Sequence, residues 1–213
     1  IDDALDFSVK QSMSMFNEMK DQKGILPRTA ENGKMITCES AWWTSGFYPG
    51  TLWYCYEYSN DPQIRAAAEE MTSRVEQQKY TTSNHDVGFI INCSFGNGYR
   101  LTHNETYRKV IETAAKSLST RFHPVTGCTR SWNSKKWQFS VIIDNMMNLE
   151  LLNVASSLTG DNAYYNMAKS HADRTMINHF RPDGSSYHVV SYDTITGKVL
   201  NQVTHQGVND QSS

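Results

Sequence analysis

The chain has 213 residues, 38% of them hydrophobic, and a formal charge of -2. That is enough for one domain with a real core, or for part of a larger one. The near-neutral balance lacks the basic stripe of a nucleic-acid binder, and no apolar run approaches the roughly 20 residues that cross a bilayer.

An opening helix fits residues 2 to 20, with Leu5, Val9, Met13, Phe16 and Met19 on one stripe. After it, two helix types alternate. Residues 47 to 59, 86 to 96 and 141 to 157 are apolar nearly all round and read as inner helices. Residues 62 to 78, 105 to 121 and 162 to 178 are amphipathic and read as outer ones. The joints repeat as well. "YSNDPQI", "LTHNETY" and "LTGDNAY" each put Asp or Asn where its side chain can cap the outer helix that follows, and Pro62 takes the favoured first helical position. Three helix hairpins at intervals of roughly 45 to 55 residues predict a helical array or toroid. Between 181 and 205 the pattern alternates and turns near Asp193 to Gly197, which predicts a hairpin-like excursion. The closing "NDQSS" reads as a helix start with no helix behind it, so residues 1 to 213 are expected to be about half of a two-layer helical barrel.

The four cysteines, Cys38, Cys55, Cys93 and Cys128, form no C-x-x-C pair and no zinc-like spacing with histidine, so they read as small buried residues. Eleven tyrosines and five tryptophans supply aromatic surface suited to stacking sugar rings.

If the inner helices run parallel, their N-terminal ends share one rim. Trp42, Trp43, His85, Asp86, Trp132 and Asp144 then converge on one mouth. Each has an ordinary alternative. Asp86 alone is a helix-start acid welcomed by the dipole, His85 a capping or surface histidine, and the tryptophans core. Asp144, in "VIIDNMMNLELL", is a carboxyl among large apolar side chains; it must be paired or hold its proton with a raised pKa. An ionised Asp86 beside a protonated Asp144 would divide acid and base roles. Two carboxyls with aromatic platforms suit glycosidic chemistry, and helix N-termini favour an anionic ligand. A uronic acid sugar fits all three hints.

Six ordered stretches, "WTSGFYPGTLWYCYEYS", "NHDVGF", "RSWN", "IIDNMMNLELL", "SYHVVSYDTITG" and "THQG", resemble the unsaturated glucuronyl hydrolases, glycoside hydrolase family 88. The resemblance implies an all-α (α/α)6 toroid of helix hairpins, of which this chain is about the N-terminal half of a single catalytic domain. It implies a substrate made by polysaccharide lyases: an oligosaccharide with a 4,5-unsaturated uronic acid at its non-reducing end. Water adds across the C4=C5 vinyl ether, the hemiketal collapses, and the aglycone leaves. By this resemblance Asp144 matches the acid/base and Asp86 the second essential carboxylate. His85, His188 and Gln206 match polar residues that contact sugar or water, Trp43 and Trp132 match stacking platforms, and Trp42 is a further substrate-binding candidate beside them. No metal or organic cofactor is implied. An enzyme on imported oligosaccharides would sit in the periplasm or the cytoplasm. The pattern departs at Tyr48 and Pro49, where a Trp and a small polar residue are expected. It also stops short of a Trp-x-Arg-Gly-Gln stretch that follows "THQG" in the family.

Three rival readings stand beside this one: an unsaturated rhamnogalacturonyl hydrolase acting on pectin fragments, a non-catalytic sugar-binding toroid, and a structural helical repeat. Retained Asp86 and Asp144 favour chemistry over binding alone.

Overall fold

The computed structural model describes residues 1–208. In chain order it contains α1 (Asp2–Met19), β1 (Ile25–Glu31), β2 (Lys34–Glu39), α2 (Phe47–Ser59) and α3 (Pro62–Ser73), followed by a 3₁₀ turn over Glu76–Tyr80. One helical run is made of α4 (Val87–Ile91), a π-helical stretch at Asn92–Gly96 and α5 (Asn97–Thr102). Next come α6 (Glu105–Ser119), β3 (Phe122–His123), β4 (Cys128–Thr129), β5 (Ser140–Ile142), α7 (Asn145–Asn148), α8 (Glu150–Thr159), α9 (Asn162–Asn178), β6 (Val189–Tyr192) and β7 (Val199–Val203). Two compact units result, residues 1–80 with 89–113, and residues 81–88 with the chain from 114 on. The "NDQSS" stretch expected to start a helix lies outside the described residues.

The repeated joints have one physical form. Asp61 Oδ1 accepts from Gln63 N (2.7 Å), Asn104 Oδ1 from Thr106 N (2.9 Å) and Asp161 Oδ1 from Ala163 N (2.8 Å). Each acceptor satisfies a backbone donor that the helix itself leaves unpaired. The helix before each joint ends on a left-handed residue: Asn60 (φ 54°), His103 (φ 52°) and Gly160 (φ 75°). There the chain reverses and the next helix packs back.

In the first unit, α2 is the centre. Its Leu52 and Trp53 are fully buried with Met19, Ala68 and Met71. Trp53 donates its indole N–H to Thr72 Oγ1 (2.9 Å), so the largest core side chain leaves no polar atom unpaired. Tyr48 donates its hydroxyl to Ser12 O (2.8 Å) and ties α2 to α1, so the unexpected tyrosine in "FYPG" has a structural use. A Cβ on Gly50 would stand 2.6 Å from Cys93 O, so only glycine allows that backbone approach. The expectation that α2 is buried on every side is corrected: Tyr54 faces out, with the Arg100 guanidinium 5.7 Å from its ring.

The helical expectation holds in the main, and the described residues add three small antiparallel sheets to it. The hairpin β1–β2 turns on Asn32–Gly33, both with positive φ, a two-residue turn whose twist matches its strands. The predicted helix over 141 to 157 begins instead as strand β5, which pairs with β6, and becomes helical only at α7 and α8. The predicted excursion is the β6–β7 hairpin, turned by Asp193, whose Oδ1 accepts from Ile195 N and Thr196 N. All four cysteines are free thiols.

Trp53→Ala removes a fully buried ring and strands the Thr72 hydroxyl. It should lower unfolding free energy by roughly 3–5 kcal/mol, read as a lower midpoint in a urea titration. An unchanged midpoint would remove Trp53 from the core.

Candidate active site

The second unit brings His85, Asp86, Trp132, Asp144 and His188 together by a ladder of short extended segments. His85 N donates to Ser131 O (2.9 Å), and Asn84 bridges Trp132 in antiparallel fashion. Ser131 N donates to Ser140 O (2.9 Å), which joins this segment to β5. Past the end of β5, Ile143 N donates to His188 O (3.0 Å), just before β6. Neighbouring rungs thus carry the imidazole, the indole, the carboxyl and the second histidine. Gly88 completes the approach: a Cβ there would stand 2.6 Å from Asn148 Cα, so the turn bearing Asp86 sits directly against α7.

His85 is 2% exposed. Its Nε2 lies 3.4 Å from Asp86 Oδ1 and 4.0 Å from Asp144 Oδ2. Burial drives the His85 pKa down to about 3, so the ring is neutral. Burial pushes Asp86 up to about 6, with the Arg121 guanidinium pulling the other way. Asp144 is pushed up to about 7, first by burial and then by the Asp86 charge. Asp144 is also divided. Its side chain is 38% exposed, yet Oδ1 is buried with no hydrogen-bond partner among the described residues. One oxygen therefore faces out while the other favours the protonated state.

Two expectations change here. Asp144 does not sit inside an apolar helix; it occupies the turn between β5 and α7. Asp86 is not a simple ionised helix-start acid, because its raised pKa outweighs its place before α4.

Trp132 stands edge-on to His85 (6.5 Å between centroids) and to Trp137 (6.3 Å). His205 lies 5.9 Å from Trp132, and its N–H donates to His188 Nδ1 (3.1 Å). Gln206 is exposed, and its backbone N–H donates to Thr204 Oγ1. Trp42 and Trp43 belong to the first unit. Arg28 lies 4.0 Å over the Trp42 ring, while Trp43 packs on Phe47 and Phe89 and stays 44% exposed.

A comparison with protein-family models finds no match. The sequence is 47% identical over 174 residues to an unsaturated glucuronyl hydrolase of Formosa agariphila, covering 80% of this chain and 44% of that protein. It is 33% identical over 219 residues to an unsaturated chondroitin disaccharide hydrolase of Streptococcus pyogenes, covering all of this chain and 54% of that one. The fold matches the crystal structure of an unsaturated glucuronyl hydrolase specific for heparin with a TM-score of 0.91 at 42% identity, over 99% of this chain and 58% of that chain. The chain belongs to the unsaturated glucuronyl hydrolase family. It spans about half the length of the curated relatives it matches.

Two residues near the family's shared motifs escape a reading of motifs alone. Arg121 is buried and donates to Thr82 O (2.6 Å) and Arg130 O (2.8 Å), and its charge reaches Asp86. Nothing in "STRFHP" marks it, because the contacts that hold it come from distant segments. His205 lies inside "THQG", and only its packing on Trp132 and its backbone bond to His188 Nδ1 place it beside the others.

The ligand atoms of His85, Asp86 and Asp144 lie within 4.8 Å of one another, a spacing one cation can bridge. Coordination requires ionised carboxyls, and these hold protons up to about pH 6 and 7.

A raised carboxyl pKa means the folded state binds the proton more tightly than the unfolded chain. Asp144 therefore costs stability as pH climbs from about 4 through 7. Asp144→Asn, which cannot ionise, should gain on the parent between pH 5 and pH 8 by on the order of 1 kcal/mol, discounted for the exposed oxygen. Melting curves at the two pH values check this; an equal difference at both would refute the raised pKa.

Proposed function

We propose that the protein removes a 4,5-unsaturated uronic acid from the non-reducing end of lyase-generated oligosaccharides by hydrating the C4=C5 vinyl ether. The observation that carries this reading is the coupled carboxyl pair. Asp86 and Asp144 share the ring of a buried neutral His85, and the pair keeps one proton near neutrality, chiefly on Asp144. The compact cluster, within 4.8 Å, is too tight for the inverting arrangement of a glycosidase, which needs carboxyls about 6.5–9.5 Å apart. One retained proton suits an alkene instead.

In this reading Asp144 gives its proton to C4, and positive charge develops at C5 and is shared with the ring oxygen. Asp86, with the lower pKa of the two, is the carboxylate that stabilises that charge. Water then attacks C5 and returns a proton to Asp144, which restores the acid. A pKa near 7 serves both halves of such a cycle. The hemiketal opens to a ketone at C5, and the hemiacetal left at C1 releases the aglycone as an alcohol. Trp132 offers a ring for the sugar to stack on, and His188 and His205 offer polar edges beside it. Trp42 and Trp43 are proposed as further stacking platforms, and Gln206 as a polar contact. No metal or organic cofactor enters this chemistry.

Relatives named for chondroitin and heparin point to glycosaminoglycan fragments as the substrate source. The packed pairs α2–α3 and α8–α9, with their matching joints, support reading the chain as successive hairpins of an (α/α)6 toroid, about the N-terminal portion of one catalytic domain.

The test uses the full-length protein with an unsaturated chondroitin or heparin disaccharide and follows the ultraviolet absorbance of the conjugated C4=C5 bond. Steady loss is expected, unaffected by EDTA and reduced by about 10²–10⁴-fold in Asp144→Asn, the usual contribution of a general acid. Loss only with a pectin-derived substrate would move the protein to rhamnogalacturonyl chemistry. No loss with either would leave sugar binding without catalysis.

A further inference from the structure

We propose that Asn145 is a positioning residue that fixes the tautomer of His85, so that the ring presents a lone pair to the two carboxyls. The inference rests on the carboxyl pair having the role given above.

Asn145 is fully buried at the start of α7, next in sequence to Asp144. Its Nδ2 donates to Thr129 O (2.8 Å) and to Ser131 Oγ (3.4 Å). With both amide hydrogens used in this way, the side chain cannot flip without losing them. Its Oδ1 is left as an acceptor. Among the described residues, Asn145 Oδ1 and His85 Nδ1 are both buried and both without a partner of ordinary hydrogen-bond geometry. The two orphans answer each other. Asn145 is the hydrogen-bonding side chain that raises the His85 pKa against its burial, and only an acceptor atom has that effect. Oδ1 is thereby assigned as the acceptor that an Nδ1–H would turn to, although the two atoms stand outside ordinary hydrogen-bond geometry, and on this assignment the proton of the neutral imidazole is on Nδ1. The other nitrogen is then an acceptor.

That nitrogen, Nε2, is the one facing Asp86 at 3.4 Å and Asp144 at 4.0 Å. An acceptor there can bond a carboxyl only while the carboxyl is protonated. An Nε2–H would instead donate to a carboxylate and favour its ionised form. The tautomer thus decides whether His85 helps to keep a proton on the pair or helps to strip it. The other charged or titratable groups around the ring are Arg121 and His171, whose electrostatic influence bears on His85 or is felt from it. Neither makes a hydrogen bond to Nδ1.

Three other histidines of this unit supply a built-in contrast. Thr129 N donates to His171 Nδ1 (3.0 Å), and His205 N donates to His188 Nδ1 (3.1 Å), so both of those rings, when neutral, carry their proton on Nε2. His179 presents Nε2 to Val141 O (3.2 Å), which also calls for Nε2–H. His85 is set apart from all three by its amide partner.

The experiment is a two-bond hydrogen–nitrogen correlation spectrum of the full-length protein labelled with ¹⁵N-histidine, assigned by single histidine substitutions. His85 should show a protonated Nδ1 and a bare Nε2, with His171, His179 and His188 showing the reverse. In Asn145→Ala, which removes the acceptor, His85 should move toward Nε2–H. With the unsaturated disaccharide, kcat at neutral pH should fall about tenfold, the effect of about one unit lost from the carboxyl pKa, while KM stays within about twofold. An Nε2–H His85 in the parent protein overturns the proposal outright, even if the variant does not fold. A variant that keeps Nδ1–H overturns it too. The tautomer is read without turnover, so a protein inactive on every unsaturated substrate would refute the hydration chemistry and leave this measurement standing by itself.

Discussion

Two carboxyls held beside a dry imidazole cannot both be charged at modest cost. That constraint organises the second unit. Ionising Asp144 near an ionised Asp86 adds like-charge repulsion to the loss of water, and burial has already pushed both pKa values up. A neutral His85 offers no compensating cation. The pair therefore retains a proton near neutrality. In the hydration proposed above, that proton would be the acid that reaches the alkene.

Such a pair must be held at short range, and the local chain explains how. Carboxyls that repel or compete for one proton drift apart unless their backbones are fixed. Here the segment at 84–85 hydrogen-bonds to 131–132, that segment to β5, and β5 to β6. Backbone pairing of this kind sets positions more tightly than side-chain contact alone. Gly88 then removes the one side chain that would hold the Asp86 turn away from α7.

The helical frame was legible because its signals are local. Caps at Asp61, Asn104 and Asp161 and apolar stripes on the long helices are written in consecutive residues, and the limits of α1, α2, α6 and α9 match within two positions, whereas α3 ends five residues early and the run from Val87 continues to Thr102. The strands were less legible, for two different reasons. Asn32–Gly33 is a direct hairpin signal that went unused. The failure at 141 to 157 is deeper. "SVIIDNMMNLELL" is apolar throughout, and such a run cannot declare by period alone whether it is strand or helix. Its first residues became strand because β6, nearly fifty residues on, pairs with them. The same misreading gave Asp144 the wrong surroundings while leaving its raised pKa right. Of the site, His85, Asp86, Trp132, Asp144 and His188 were named from sequence and meet in space. Arg121 lies in no motif and is held by carbonyls of distant segments, while Asn145 lies inside "IIDNMMNLELL" but bonds to Thr129 and Ser131 outside it.

Arg121 shows why the two carboxyls need not be alike. Its guanidinium is buried and tied to the carbonyls of Thr82 and Arg130, none of which neutralises it. A cation so placed is itself strained, and its own pKa falls to about 10. Its field lowers the Asp86 pKa and works against a charge on His85. For Asp144 the dominant neighbouring charge is instead Asp86, which acts in the opposite direction. The asymmetry sends the shared proton to Asp144 and leaves the negative charge on Asp86. Protonation states that would be interchangeable in an isolated pair of aspartates are thus set apart by one arginine just past the end of α6, held in place by backbone carbonyls.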